Sequence, residues 1–394
     1  MATSLFILLL PGLALFGPPA HAAPTQEFQV KPLEINLSDR VPHMLDLIKN
    51  TRLPSNELAA AVESVNETIS TGISIQTLKS LKEEWITSFD WDEEQASINK
   101  LHHYTVNIEG IDVHFVHEVS RNPNAIPIIL LHGWPGSFLE FTRLIDLLVP
   151  KNGTASTTTF DVVIPSLPGF GFSSPTPRKD WDGHDTARVF NTLMTQALGY
   201  PRYAVHGTDW GSTVGYSMYD QFNTTVRALH LNFLPFLPPS PADIAARNIT
   251  VSPGEAVTER RSADWASAGN GYFIEQTTKP NDIGLALYDN PIGSDPRQGT
   301  GPSLLTHNEI LLGVSLYYLT DSQSYYPDAK AQNDAPLLYT NFKYNIGFWP
   351  KEYVAAVGNL VSYKFRDFGG HFPGLDNPTG LAYDIKDIGK YWVY

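Results

Sequence analysis

The stretch Tyr203-Ala204-Val205-His206-Gly207-Thr208-Asp209-Trp210-Gly211-Ser212 decides how this chain folds. Tyr203 to His206 has the character of a buried strand, and Ser212 to Met218 continues as a helix. Two glycines bracket the three residues between them. Small residues at those places permit a sharp strand-to-helix turn that lifts the central side chain clear of the sheet and points a helix N-terminus at it. The central residue is Asp209. A carboxylate is ionised near neutral pH and needs no base to activate it. It is poorly suited to attacking amides but suits displacement at a saturated carbon, which gives an alkyl–enzyme ester. An ordinary glycine-rich turn with an N-capping Asp has the same five letters, so the surroundings must decide.

The flanking sequence supplies a sheet. Ile126 to Leu131 and Phe160 to Ile164 are short apolar runs of the kind buried on both faces of a parallel sheet, and Arg227 to Phe233 is a further strand. Helical patterns run from Phe138 to Leu148 and from Thr186 to Leu198, the latter with Asp185 as N-cap and Gly199 as stop. This β-α-β-α alternation predicts an α/β fold with a doubly wound, mostly parallel sheet. Upstream, His103 to Val119 is a hairpin turning at Glu109-Gly110, preceded by helical periodicity after Ser38-Asp39 and from Ile73 to Trp85. The alternation stops at the proline cluster Pro235, Pro238, Pro239 and Pro241. Strands are expected again at Tyr344–Phe348 and Leu360–Phe365. The chain thus divides into a leader (1–22), an N-terminal segment (23–120), a first core part (121–240), an inserted helical lid (241–337) and a last core part (338–394).

Composition narrows the function. The 27 Lys and Arg against 41 Asp and Glu give a net charge of −14, which argues against a binder of nucleic-acid backbones. The absence of cysteine excludes disulfides, thiolate nucleophiles and Cys-ligated metals. Leu5 to Phe16 is too short to span a bilayer, and Ala20-His21-Ala22 has the small-x-small form of a cleavage site. A cleaved signal peptide and secretion are the expectation, with an uncleaved membrane anchor as the alternative. The sequons at Asn36, Asn66, Asn152, Asn223 and Asn248 then become candidate glycan sites.

His132-Gly133-Trp134-Pro135-Gly136 directly follows the strand at Ile126–Leu131, where an α/β-hydrolase places its oxyanion loop. The backbone N–H groups of Trp134 and Trp210 are the expected oxyanion hole for Asp209. This fold orders nucleophile, acid and base along the chain, so the base is a late histidine. His371 sits in Gly369-Gly370-His371-Phe372 just past a strand, whereas His307 falls in the lid. His132 and His206 adjoin the loops and brace backbone. Glu352 is the expected acid behind His371, with Asp367 as its rival.

These motifs resemble the microsomal-type epoxide hydrolases, including secreted or soluble fungal members. The likeness runs from about Trp85 to Tyr394. It is carried by Phe89-Asp90-Trp91, Ile108-Glu109-Gly110, His114-Phe115, His132 to Phe138, Pro165 to Ser173, Gly207 to Ser212 and Gly370-His371-Phe372, in order. The resemblance implies an α/β-hydrolase fold with a helical lid and a wrapping N-terminal segment. It also implies two lid tyrosines that hydrogen-bond an epoxide oxygen. Gly271-Tyr272, with Gln276 and Lys279-Pro280, supplies the first; Tyr326, with Tyr325 as the alternative, supplies the second. A phenol is neutral at pH 7 and can donate to a developing alkoxide. Residues Gly293 to Ser303 depart from the family in being polar. The expected partner is a small epoxide, converted with water to a vicinal diol. Neither cofactor nor metal is called for, and a homodimer is left open. A haloalkane dehalogenase, which needs halide donors in place of lid tyrosines, and a silent ligand-binding α/β-hydrolase are the rival readings.

Overall fold

The run Ile126–Leu131 forms a strand whose alternate side chains enter two cores. Ile126, Ile128 and Leu130 pack on one face of the sheet, Ile129 and Leu131 on the other. Val162 and Ile164, opposed to Val163, repeat the arrangement. A strand covered on both faces has no solvent side, which is why these segments are apolar throughout.

The computed structural model describes residues 28–56, 73–151, 158–288, 290, 306–320 and 331–393. The strands are β1 (Lys31–Pro32), β2 (His103–Ile108), β3 (Ile111–Glu118), β4 (Ile126–Leu131), β5 (Phe160–Pro165), β6 (Tyr203–Gly207), β7 (Val226–Leu231), β8 (Pro336–Tyr344) and β9 (Asn359–Gly370). They form one sheet in the order β1-β2-β3-β5-β4-β6-β7-β8-β9. The pairings β1–β2, β2–β3 and β3–β5 are antiparallel, and every pairing from β5 to β9 is parallel. The fold is that of an α/β-hydrolase. Helices Val41–Asn50, Ile75–Thr87, Thr142–Leu148 and Pro378–Lys386 cover one face, while Gly183–Thr192 and Asp209–Gln221 cover the other. The hairpin between β2 and β3 turns at Glu109 and Gly110, both with positive φ (52° and 85°).

Between β7 and β8 the chain leaves the sheet. Helices Pro241–Ala246, Glu255–Asp264, Gly271–Thr278, Pro280–Tyr288 and His307–Thr320 occupy that interval. The N-terminal segment reaches this lid: Trp85 Nε1 donates to buried Ser315 Oγ at 3.1 Å, and the His307 ring meets Glu84 at 2.9 Å. His307 is therefore exposed but tethered to the segment that wraps the core.

Three sequence expectations shift. The helix expected from Thr186 begins at Gly183, because Asp182 caps it by accepting from the Asp185 N–H at 3.0 Å, and Asp185 answers from the third helical position. The strand expected at Tyr344–Phe348 lies at Pro336–Tyr344. The polar pair Thr340-Asn341 breaks its apolar run, which hid the strand, although both side chains are buried. The core therefore resumes two residues before 338. Of the sequons, Asn36, Asn223 and Asn248 are exposed; Asn66, Asn152 and the leader 1–22 lie outside the described residues. Among the described residues no helix is long and apolar enough to cross a membrane.

Candidate active site

Asp209 stands where β6 ends and the helix Asp209–Gln221 begins, with φ at +48°. A non-glycine residue in the left-handed region costs roughly 1–2 kcal/mol, tolerated here because the turn is fixed on both sides. A Cβ on Gly211 would lie 2.0 Å from the Leu131 carbonyl oxygen, and one on Gly207 would lie 2.4 Å from the Gly211 oxygen. The elbow is closed against β4 so tightly that only glycine fits at either end.

Both carboxylate oxygens of Asp209 are held. Trp134 N–H donates to Oδ1 at 2.7 Å, and His371 Nε2 lies 3.0 Å from Oδ2. The Trp134 amide is aimed by His132. Burial pushes the His132 ring down to about 4, so it is neutral, and it bridges the Gly133 carbonyl (Nδ1, 3.1 Å) and the Leu167 N–H (Nε2, 3.1 Å). A Cβ on Gly133 would sit 2.1 Å from Asp209 Oδ1, so this glycine lets the loop close over the carboxylate. Trp210 lines the cleft beside Asp209.

His371 follows the last residue of β9 and packs edge-on between Phe233 and Phe372, with ring centroids 4.8 and 4.6 Å away. Its backbone carbonyl accepts from Thr208 Oγ1 at 3.0 Å, tying the histidine loop to the elbow. Its Nδ1 meets Asn345 Oδ1 at 2.9 Å. This overturns Glu352 as the orienting acid. Glu352 lies in the first turn of the helix Lys351–Val357, past the end of the strand, and is exposed. Asp367 is exposed on β9 and does not take its place. Asn345, buried and one residue past β8, takes that position. The sequence reading sought a carboxylate and set Asn345 inside the strand expected at Tyr344–Phe348, so nothing there pointed to it.

The lid contributes Tyr272, at the start of the helix Gly271–Thr278. Its ring stacks on Trp134 with centroids 5.1 Å apart, and its hydroxyl accepts from Trp265 Nε1 at 3.2 Å. Burial, then the Asp209 charge, push the phenol up to about 12, so it stays a neutral donor. Trp265 is a second residue the sequence reading missed. Tyr326 and Tyr325 lie outside the described residues. The cleft between lid and elbow is lined by Trp134, Asp209, Trp210, Phe233, Tyr272 and Phe273, among others. An apolar, aromatic cleft ending in one held carboxylate can bind a small apolar electrophile and alkylate that carboxylate.

Fold and site together define an α/β-hydrolase with a carboxylate at the nucleophile position. Residues 30–141 match the family described as "Epoxide hydrolase N terminus", and residues 126–253 match the "alpha/beta hydrolase fold". A relative from Stigmatella aurantiaca is 32% identical across 86% of this chain and 79% of its own length. The solved structure of an enantioselective mutant of the epoxide hydrolase from Aspergillus niger is 30% identical, with a TM-score of 0.80, covering 92% of this chain and 97% of the other. The juvenile hormone epoxide hydrolase of the silkworm Bombyx mori is 25% identical, with a TM-score of 0.79, covering 93% and 95%. The chain belongs to the epoxide hydrolase family. The likeness begins near residue 30, well before Trp85.

Proposed function

We propose that this hydrolase converts an apolar epoxide and water to a vicinal diol through an ester on Asp209. The observation that carries the reading is the division of labour between the two carboxylate oxygens. Oδ1, held by the Trp134 N–H, is the oxygen on which negative charge collects, and Oδ2 lies 3.0 Å from His371 Nε2. Oδ2 attacks the epoxide carbon. The carbon–oxygen bond of the ring breaks, and the departing oxygen takes its proton from Tyr272, with Tyr326 as the second donor implied by the motif. His371 Nε2 then removes a proton from water as the water oxygen attacks the Asp209 carbonyl carbon. The tetrahedral oxyanion sits against the Trp134 N–H, with the Trp210 N–H as its second donor, and collapses to expel the diol oxygen. That oxygen takes the proton from His371, and the second proton of the water, left on the Asp209 carboxyl, returns to the Tyr272 phenolate, which restores both groups.

The placement of Trp265 favours an epoxide over a halide. Its N–H is engaged by the Tyr272 hydroxyl, which orients the phenol as a donor into the cleft. The test is one turnover in heavy-oxygen water with enzyme in excess over styrene oxide. The diol should emerge nearly unlabelled, and the peptide bearing Asp209 should gain the heavy atom. A labelled diol with an unlabelled Asp209 peptide would reduce Asp209 to a general base.

A further inference from the structure

The orientation of the Asn345 amide is fixed by its neighbours. Its Oδ1 faces two groups, the Ile346 backbone N–H at 2.8 Å and His371 Nδ1 at 2.9 Å; its Nδ2 donates to the Asn232 carbonyl at 2.7 Å. Turning the amide over would set its NH₂ against the Ile346 N–H and its oxygen against a carbonyl oxygen. Asn345 Oδ1 therefore accepts, His371 Nδ1 carries the hydrogen, and Nε2 is the ring nitrogen that faces Asp209 Oδ2. Asn232, just past β7, adds a second amide: its Nδ2 lies 3.2 Å from both Thr208 Oγ1 and the His371 carbonyl oxygen.

Two amides hold this histidine, one by its ring and one by its backbone. The charged group at hydrogen-bond distance from the ring is Asp209 itself. Around the loop, Asp376 packs against Gly370, and Glu140 packs against Gly136, which also faces Phe372. Tyr272 faces Asp209 across the cleft. Once Asp209 is an ester its charge is gone, and the imidazolium formed during hydrolysis has a neutral amide behind it. An amide can fix the tautomer and the ring plane as a carboxylate does, but it cannot balance the positive charge.

We propose that Asn345 is an uncharged positioning residue for His371, and that its lack of charge limits the hydrolysis of the ester while leaving alkylation untouched. The proposal rests on the ester mechanism above. The experiment uses the full chain with styrene oxide, quenched at steady state and read by intact mass, alongside the pH profile of kcat. In the wild type most chains should carry the substrate mass. Asn345→Asp should raise kcat about tenfold, lower the esterified fraction and move the pH midpoint of the hydrolysis limb upward. Asn345→Ala, which removes the orienting oxygen without placing a carboxylate against the Asn232 carbonyl, should lower kcat and keep the adduct. A mostly unmodified wild type, or an Asn345→Asp variant with unchanged kcat and pH midpoint, would overturn the proposal. His371→Gln separates it from its premise: that variant should trap the ester, and its failure to take up any substrate mass would remove the ester mechanism itself.

Discussion

Two side chains carry the proposed alkylation step, and each is tested by one substitution. Asn tolerates the left-handed backbone of residue 209 and keeps the side-chain shape, so Asp209→Asn should leave the fold intact. It removes the nucleophile, and turnover should fall by roughly 10⁴-fold. Full-rate diol formation by this variant would end the assignment. Tyr272→Phe should slow formation of the ester by roughly 10²-fold, since one proton donor is lost. The pH dependence is sharper. A phenol whose protonated form is favoured by burial, and then by the charge of Asp209, holds its proton up to about 12. The alkylation rate, followed by rapid quench and mass, should therefore stay flat through pH 10, where an ordinary tyrosine is half ionised. A decline centred near pH 10 would show that the phenol is not buried against Asp209 during the step.

At the scale of elements, the site exists because three loops converge, and glycines set how closely. Gly133→Ala would place a methyl where Asp209 Oδ1 now sits, while most of the buried core is untouched. That variant should fold with its melting temperature little changed and lose most of its alkylation activity. Gly211→Ala would instead drive a methyl into the Leu131 carbonyl and should cost several kcal/mol of stability, read as a lowered denaturant midpoint. If Gly133→Ala alkylates normally, the loop is looser than its geometry states. The elbow and the oxyanion loop were legible in the sequence because their chemistry is local: Gly207-Thr208-Asp209-Trp210-Gly211 and His132-Gly133-Trp134 carry their own geometry. β4 and β5 were legible because burial on both faces writes an unbroken apolar run. β8 was displaced because Thr340 and Asn341 are polar yet buried, Thr340 through a bond to Asp384, and no period reveals such burial. Asn345 was hidden for the related reason that its role comes from what it faces. Glu352 had the expected chemistry and stands seven residues further on, in the wrong element.

For the whole molecule, two effects of acid oppose each other, and their signs can be separated. With a net charge of −14, taking up protons relieves self-repulsion and should stabilise the folded chain as pH falls from 7. The core argues the reverse. Burial pushes His132 and His230 down to about 4, and it lowers His103, His114 and His206 as well. Groups that fold neutral but would be protonated when unfolded contribute full stability above pH 6.5, and the loss grows as pH drops from there toward 4. At pH 5, His132 alone accounts for roughly 2 kcal/mol. Asp384 acts in the same direction. Its burial would raise it, but bonds from Arg366 (2.6 Å) and Lys364 (2.7 Å) win and hold it below the usual carboxylate range, so its contribution is lost in acid too. Buried groups are poorly screened, whereas the repulsion among surface carboxylates is shielded by salt. The melting temperature should therefore fall by at least about 5 °C between pH 7 and pH 5, and still fall in high salt. His132→Gln, which can keep one contact to the Gly133 carbonyl or the Leu167 N–H without titrating, should be less stable at pH 7 yet lose less on acidification. A melting temperature that rises on acidification would mean that surface charge governs this fold, and an unchanged slope in His132→Gln would remove that histidine as a cause.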